Sequence, residues 1–226
     1  MPHHLQREIE KLKKKILSLS AAVENSVKMA VQSIENRDSA LAESIIARDE
    51  EIDQLEVDLE EDCLKILALH QPVAIDLRFI IAVLKINNDL ERIGDLAVNI
   101  AERAQFLSTQ RSIAIPFDLD SLAEKTQEML RKSLDSLVNL NTGLAREVCR
   151  TDDEVDAINR DMYDLVKNAI RAHPEQLDIL IPYLSVSRYL ERIADHATNI
   201  AEDVIYMIEG VIVRHKTEEY RPQTRR

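Results

Sequence analysis

Leu90-Glu91-Arg92-Ile93-Gly94-Asp95-Leu96-Ala97-Val98-Asn99-Ile100-Ala101-Glu102 recurs one hundred residues later as Leu190-Glu191-Arg192-Ile193-Ala194-Asp195-His196-Ala197-Thr198-Asn199-Ile200-Ala201-Glu202, identical at ten of thirteen positions. Shared helical composition does not produce a match of that density, so the two stretches are copies of one unit. Upstream the likeness continues at an offset of 103. There Asp49-Glu50-Glu51-Ile52-Asp53 faces Asp152-Asp153-Glu154-Val155-Asp156, and His70 faces His173. The outer segments correspond more weakly, Val27 with Leu130, Val31 with Leu134 and Ile34 with Leu137. The chain reads as a duplication: a first unit over 1–112, a second over 113–212, and a solvated basic tail over 213–226.

The units are helical. Only 3 of 226 residues are Gly and 6 are Pro, too few for the tight turns of a sandwich, a barrel or a phosphate-binding loop. Apolar residues recur at helical spacing, as in Ile16, Leu19, Val23, Val27, Ala30, Val31 and Ile34. Breakers divide the pattern: Asn36-Arg37-Asp38 (with Asp38 suited to an N-cap), Pro72, Pro116, Gly143, Pro174 and Gly210. Six helices follow, at about 5–35, 39–69, 76–108, 119–140, 144–172 and 177–209. The expected fold is all-α, two tandem pseudo-symmetric three-helix bundles of spectrin-like type.

The formal charge is −12, from 29 Lys and Arg against 41 Asp and Glu. Such a chain is repelled by nucleic-acid phosphates and anionic lipid headgroups unless a local basic patch overrides the mean. The basic stretch that stands out is the tail from Arg214 to Arg226, and nucleic-acid binding is not expected. Cys63 and Cys149 lie in helical text and form no CxxC, which fits a reducing compartment. The opening MPHHLQREIEKLKKK has no apolar run of the kind a secretion signal carries, and Phe79–Leu84 is too short to span a bilayer. A cytoplasmic protein is expected.

Within each copy two acidic i,i+4 pairs recur: Asp49/Asp53 with Glu91/Asp95, and Asp152/Asp156 with Glu191/Asp195. Chance alone supplies roughly seven such pairs in a chain this acidic, so their meaning lies in their equivalent places. Positions 51 and 93 are equidistant from Pro72, and 154 and 193 nearly so from Pro174, which sets the pairs level on neighbouring helices. Glu91, Asp95, Asn99 and Glu102 fall on one arc, opposite Ile93, Ala97 and Ile100, and therefore outside the core. Like charges so arranged need neutralising, by arginine (Arg92 and Arg192 adjoin them) or by a cation. Carboxylates with Asn amides and no Cys suit Mg, Ca, Mn or Fe(III). A solvated acidic face and a hard-cation site both satisfy this pattern. The ferritin-like pattern fails, because no core-facing Glu-x-x-His is present. No GxGxxG, P-loop, HExxH or GxSxG appears, and no catalytic constellation is evident.

Two three-helix halves carrying these twin ERIxD segments resemble the PhoU family, the bacterial phosphate-transport-system regulators, over essentially the whole chain. The resemblance implies multinuclear metal clusters at the bundle surface, iron in some members. It assigns as ligands Asp49, Asp53, Glu91 and Asp95 in the first half and Asp152, Asp156, Glu191 and Asp195 in the second. Asn99, Glu102, Asn199 and Glu202 stand as second-tier ligands, with Fe, Mn, Mg or Ca as the ion. It further implies a cytoplasmic, homodimeric, non-enzymatic negative regulator of phosphate uptake and starvation signalling. That regulator would link the ATPase subunit of a phosphate ABC transporter to a sensor histidine kinase and reach the membrane only through partner proteins. The rival expectations are an accessory role in another phosphate or polyphosphate system, and a carboxylate-bridged metal store or oxidase.

Overall fold

The computed structural model describes residues 2–213. The tail from Arg214 to Arg226 lies outside the described residues. The long helices are α1 (Pro2–Glu35), α3 (Asp49–His70), α4 (Ala74–Ser108), α5 (Leu119–Asn139), α6 (Thr142–Ala172) and α7 (Leu177–Glu209). A short α2 (Ser39–Ala47) precedes α3, and a 3-10 turn, Pro174–Gln176, precedes α7. The fold is all-α, with the helices in two bundles as the repeat requires.

The expected single helix over 39–69 is two. At Arg48 the backbone takes φ −93° and ψ −3°, its N–H reaches back to Ile45 and Ile46, and α3 starts afresh at Asp49. The apolar pattern conceals this break. Ile45 and Ile52, both buried, are seven residues apart, the same spacing that an unbroken helix would show. The restart places Asp49, Glu50 and Glu51 in the first turn of α3, where the exposed N–H groups favour negative charge. α6 also begins earlier than Gly143 suggests. Leu140 takes the left-handed C-cap of α5, and the Asn141 carboxamide accepts from the N–H groups of Gly143 and Leu144, so the helix opens at Thr142. Asp38 caps α2 as its position predicts, accepting from Leu41 N–H at 2.9 Å. Arg37, at φ 53°, turns its guanidinium onto the carbonyls of Leu107 and Gln110 and so satisfies the C-terminal end of α4.

α4 and α7 are the central helices and make the most extensive contact in the molecule. Ile80, Ile86, Leu90, Ile93 and Ile100 of α4 are sealed from solvent, as are Leu180, Ile193 and Ile200 of α7. Each such side chain contributes roughly 1.5–3 kcal/mol by leaving water. The two helices run antiparallel, as their polar ladder shows. Lys85 Nζ lies 3.1 Å from Asp203 Oδ1 and 5.2 Å above the Tyr206 ring. Asp89 Oδ1 accepts from Asn199 at 3.2 Å and stands 2.8 Å from His196 Nδ1, which places a proton on that nitrogen. Asp203 is 2% exposed and Asp89 8%, so this ladder is a buried seam between the repeats. Among the described residues no helix is long and apolar enough to cross a membrane.

Candidate functional site: paired carboxylate clusters

Each hairpin, α3 with α4 and α6 with α7, carries its acids level with one another, as the equal distances from the turns require. In the first, Asp49 sits close enough to Asp53 and Asp95 to feel both, and Glu91 feels Asp95, Glu56 and Asp53. Burial against the helix walls comes first among the causes that raise the carboxyls of Asp49 and Glu91 above their ordinary range. The like charges add to it, and for Glu91 the Arg92 guanidinium opposes it. Arg92 places Nε 3.2 Å from Glu91 Oε2 and an amino group 3.2 Å from Asp95 Oδ2. The first of these contacts lacks hydrogen-bond alignment, and Glu91 Oε2 is buried without a hydrogen bond. Asn87 holds the neighbouring Glu56, donating to its backbone oxygen and, at 2.9 Å, to its carboxylate. Spacing puts Glu56 on the same arc as Asp49, Asp53 and Glu60, but it stands outside the ligand set that the resemblance assigns. Its place one helical turn beyond Asp53 was the available signal.

The second cluster is the more desolvated. Burial, then Asp195 and Asp156, push Asp152 up to about 6, against one stabilising hydrogen bond from Thr198 at 3.3 Å. Asp195 keeps a solvent-facing edge, yet burial of its inner side and the charges of Glu191 and Asp156 raise it to about 6 as well. Glu191 is raised by burial and by Asp156, partly opposed by Arg188 and Arg192. No ion pair is formed between Arg192 and Glu191 or Asp195, in contrast to the Arg92 contacts of the first cluster. The helix context differs too, for Asp152 lies within the unbroken α6 whereas Asp49 opens a helix. Cys149 adjoins the second cluster and feels Glu202 and Asp152. Burial pushes its thiol up to about 12, which leaves it an inert thiol rather than a thiolate ligand. Cys63 is likewise a free, buried thiol pushed up to about 12.

The eight acids of the i,i+4 pairs thus come together as two groups of four. Of the second-tier residues, Glu202 lies near Cys149 beside the second cluster, and the other three do not join the acids. Asn99 donates to the Asp95 carbonyl of its own helix at 2.8 Å, Asn199 is turned into the seam toward Asp89, and Glu102 is exposed. Among the described residues no set of three or more His, Cys, Asp or Glu side chains stands arranged around a common point for a metal ion. The donor chemistry suits a hard cation all the same, being all-oxygen, like-charged and partly stripped of water. A concavity of about 570 Å³ between α1 and α5 is lined by residues such as Glu24, Lys28, Glu128 and Arg131 and touches neither cluster.

A duplicated all-α bundle with level carboxylate clusters on its hairpins is the class the fold defines, and its relatives supply the role. A family model described as the PhoU domain matches residues 16–104 and again 119–204. The chain is 36% identical to the phosphate-specific transport system accessory protein PhoU homolog of Aquifex aeolicus, covering 94% of this chain and 96% of that one. It is 34% identical to the protein of the same description from Clostridium acetobutylicum, covering 91% and 94%. The crystal structure of PhoU from Pseudomonas aeruginosa superposes with a TM-score of 0.88 at 34% identity, over 91% of this chain and 99% of that one. The phosphate transport system regulatory protein PhoU from Streptococcus pneumoniae gives 0.82 at 28% identity, over 92% and 99%. This chain belongs to the PhoU family, whose members are non-catalytic and play a regulatory part in phosphate homeostasis.

Proposed function

We propose that the protein is a cytoplasmic, homodimeric negative regulator of phosphate uptake, coupling the ATPase subunit of a phosphate ABC transporter to a sensor histidine kinase. The observation that carries this reading is the near full-length likeness to proteins described as accessory to the phosphate-specific transport system. Long helices with exposed polar faces supply docking surfaces, and an acidic adaptor complements basic partner surfaces. Deletion of the gene should derepress phosphate-starvation genes in phosphate-rich medium, and the purified chain should capture the ATPase subunit or the kinase. Normal repression in the deletion strain would sink the reading.

The carboxylate clusters enter this function as metal sites. Asp49, Asp53, Glu91 and Asp95 would hold a hard cation in the first hairpin, and Asp152, Asp156, Glu191 and Asp195 in the second. Glu102 and Glu202 would serve as second-tier ligands, and Asn99 and Asn199 would have to leave their present partners to take part. A bound cation would neutralise the crowded acids and tie two helices of each hairpin together. Elemental analysis and melting, with and without Mn, Fe or Mg, test this on the wild type and on Glu91→Ala/Asp95→Ala. The expected result is a metal-dependent rise in melting temperature that the double variant diminishes. A metal-free protein whose melting no added ion moves would reduce both clusters to acidic faces.

A further inference from the structure

The acidic mean of the chain conceals one positive, apolar end. α1 runs antiparallel to α3, since Lys15 of α1 pairs with Asp62 of α3 and Glu8 lies within reach of Lys65. Lys13 stands over the Phe79 ring, 5.8 Å from its centroid, so the opening of α4 flanks the same stretch. On the other side, Leu137, Val138 and Leu140 at the end of α5 reach only the level of Lys13, Ile16 and Leu17. The first turns of α1 and the turn between α3 and α4 therefore project beyond the end of α5 as a blunt prong, with Gly210 at the end of α7 lying beside it against the Arg78 guanidinium.

Over residues 4–15 and 62–78 that prong carries seven Lys and Arg against four acids, Glu8, Glu10, Asp62 and Asp76, in a chain of net charge −12, and Lys11, Lys13 and Lys15 are paired with the first three. Its tip is aliphatic: Leu69, Val73 and Ile75 are 67%, 74% and 69% exposed. The tip is also held in an unfavourable backbone. Gln71 and Ala74 both take positive φ, 45° and 50°, a region that non-glycine residues enter only when their surroundings hold them there. Pro72 is buried between them and pins the turn, while Val73 is left facing outward. Aliphatic side chains on a convex tip, without Trp, Tyr or Phe among them, lack the aromatic anchors that protein interfaces favour. A fluid bilayer requires no such anchors and no complementary pocket. It takes apolar side chains at its headgroup boundary and basic ones among its phosphates.

We propose that this prong docks the protein directly on an anionic bilayer surface. Leu69, Val73 and Ile75 enter the headgroup boundary, while Arg7, Lys11, Lys14 and Lys65 meet lipid phosphates. The contact adds to any membrane association made through partner proteins. Co-sedimentation of the full chain with phosphatidylcholine vesicles, with and without phosphatidylglycerol, tests it. Binding is expected only to the phosphatidylglycerol vesicles and weakens steeply with salt. Leu69→Asp/Val73→Asp/Ile75→Asp and, separately, Lys14→Glu/Lys65→Glu each lower partitioning by roughly tenfold or more, with helicity and melting unchanged. Arg221→Gln/Arg225→Gln/Arg226→Gln leaves it within about twofold. Four results overturn the proposal. The anionic vesicles do not bind the chain, or binding is lost in the tail variant alone. The tip variant lowers the oligomer mass and leaves vesicle binding intact, which assigns the tip to a second copy. Or the tip captures a transporter ATPase subunit without binding any vesicle, which assigns it to a protein.

Discussion

Asp152 and Asp195 carry the largest electrostatic burden among the clustered acids, and its sign sets how stability depends on pH. Both folded carboxyls titrate at about 6, above their value in an unfolded chain near 3.9. Protonation therefore favours the folded state, and the benefit, complete below pH ~4, is lost as pH rises through about 6. Replacing both by Asn removes that dependence. Relative to Asp152→Asn/Asp195→Asn, the metal-free wild type should lose roughly 1–2 kcal/mol between pH 4 and 7 in urea melts, after discounting for solvent screening. Gly94 makes a second residue-scale test. A methyl there would stand 3.3 Å from Ile52 Cγ2, while the other repeat has Ala194 and the smaller Val155 at the equivalent places. The two repeats thus fill the same space with different pairs. Gly94→Ala gains helix propensity of about 1 kcal/mol but crowds Ile52. Adding Ile52→Ala, which removes Cγ2 itself, should relieve the crowding, giving a favourable coupling of about 0.5–1 kcal/mol in a double-mutant cycle. An additive cycle would show that Ile52 moves aside unaided.

Among the elements, those with a purely local code were legible in advance. Asp38 capped α2, Gly210 took the left-handed C-cap of α7 at φ 71°, and Pro174 stopped α6, each through chemistry confined to a few residues. The break at Arg48 was not legible, because the apolar spacing across it is the same with or without an interruption. Pro182 was the opposite case. It lies buried inside α7, past the first turn, and the helix nonetheless continues through it. The acids were placed correctly at matched heights because rise per residue is fixed. Asn199 was not, since its partner Asp89 lies on the other repeat, and nothing in local spacing reports which helix stands across the seam. The ladder between α4 and α7 should be costly to damage. Asp89→Ala leaves His196 and Asn199 without their acceptor and should cost about 1–3 kcal/mol by chemical denaturation. Asn99→Ala removes one bond to the residue's own helix backbone and should cost under about 1 kcal/mol.

For the molecule as a whole, the duplication has produced two halves that share a plan and differ in their electrostatics. The first cluster carries an internal cation, Arg92, and opens at a helix N-terminus. The second has only the unpaired opposition of Arg188 and Arg192, lies within an unbroken helix, and bears the greater desolvation. If both take metal, loss of charge repulsion should stabilise the second hairpin more. Asp152→Asn/Asp195→Asn should then diminish the metal-induced rise in melting temperature more than Asp49→Asn/Asp95→Asn, and equal effects would count against this ordering.

The seam between α4 and α7 also acts as a sorting rule. Were two first halves to pair in the same register, Lys85 would meet Arg103 and Asp89 would meet Leu96. Were two second halves to pair, Asp203 would meet Ser185 and His196 would meet Tyr189. Only unlike halves bring Lys85 to Asp203 and Asp89 to His196. One covalent chain therefore behaves as an obligate pair of dissimilar subunits joined by a tether over 109–118. Severed there and produced together, the halves should recombine by kind, each refusing its own copy.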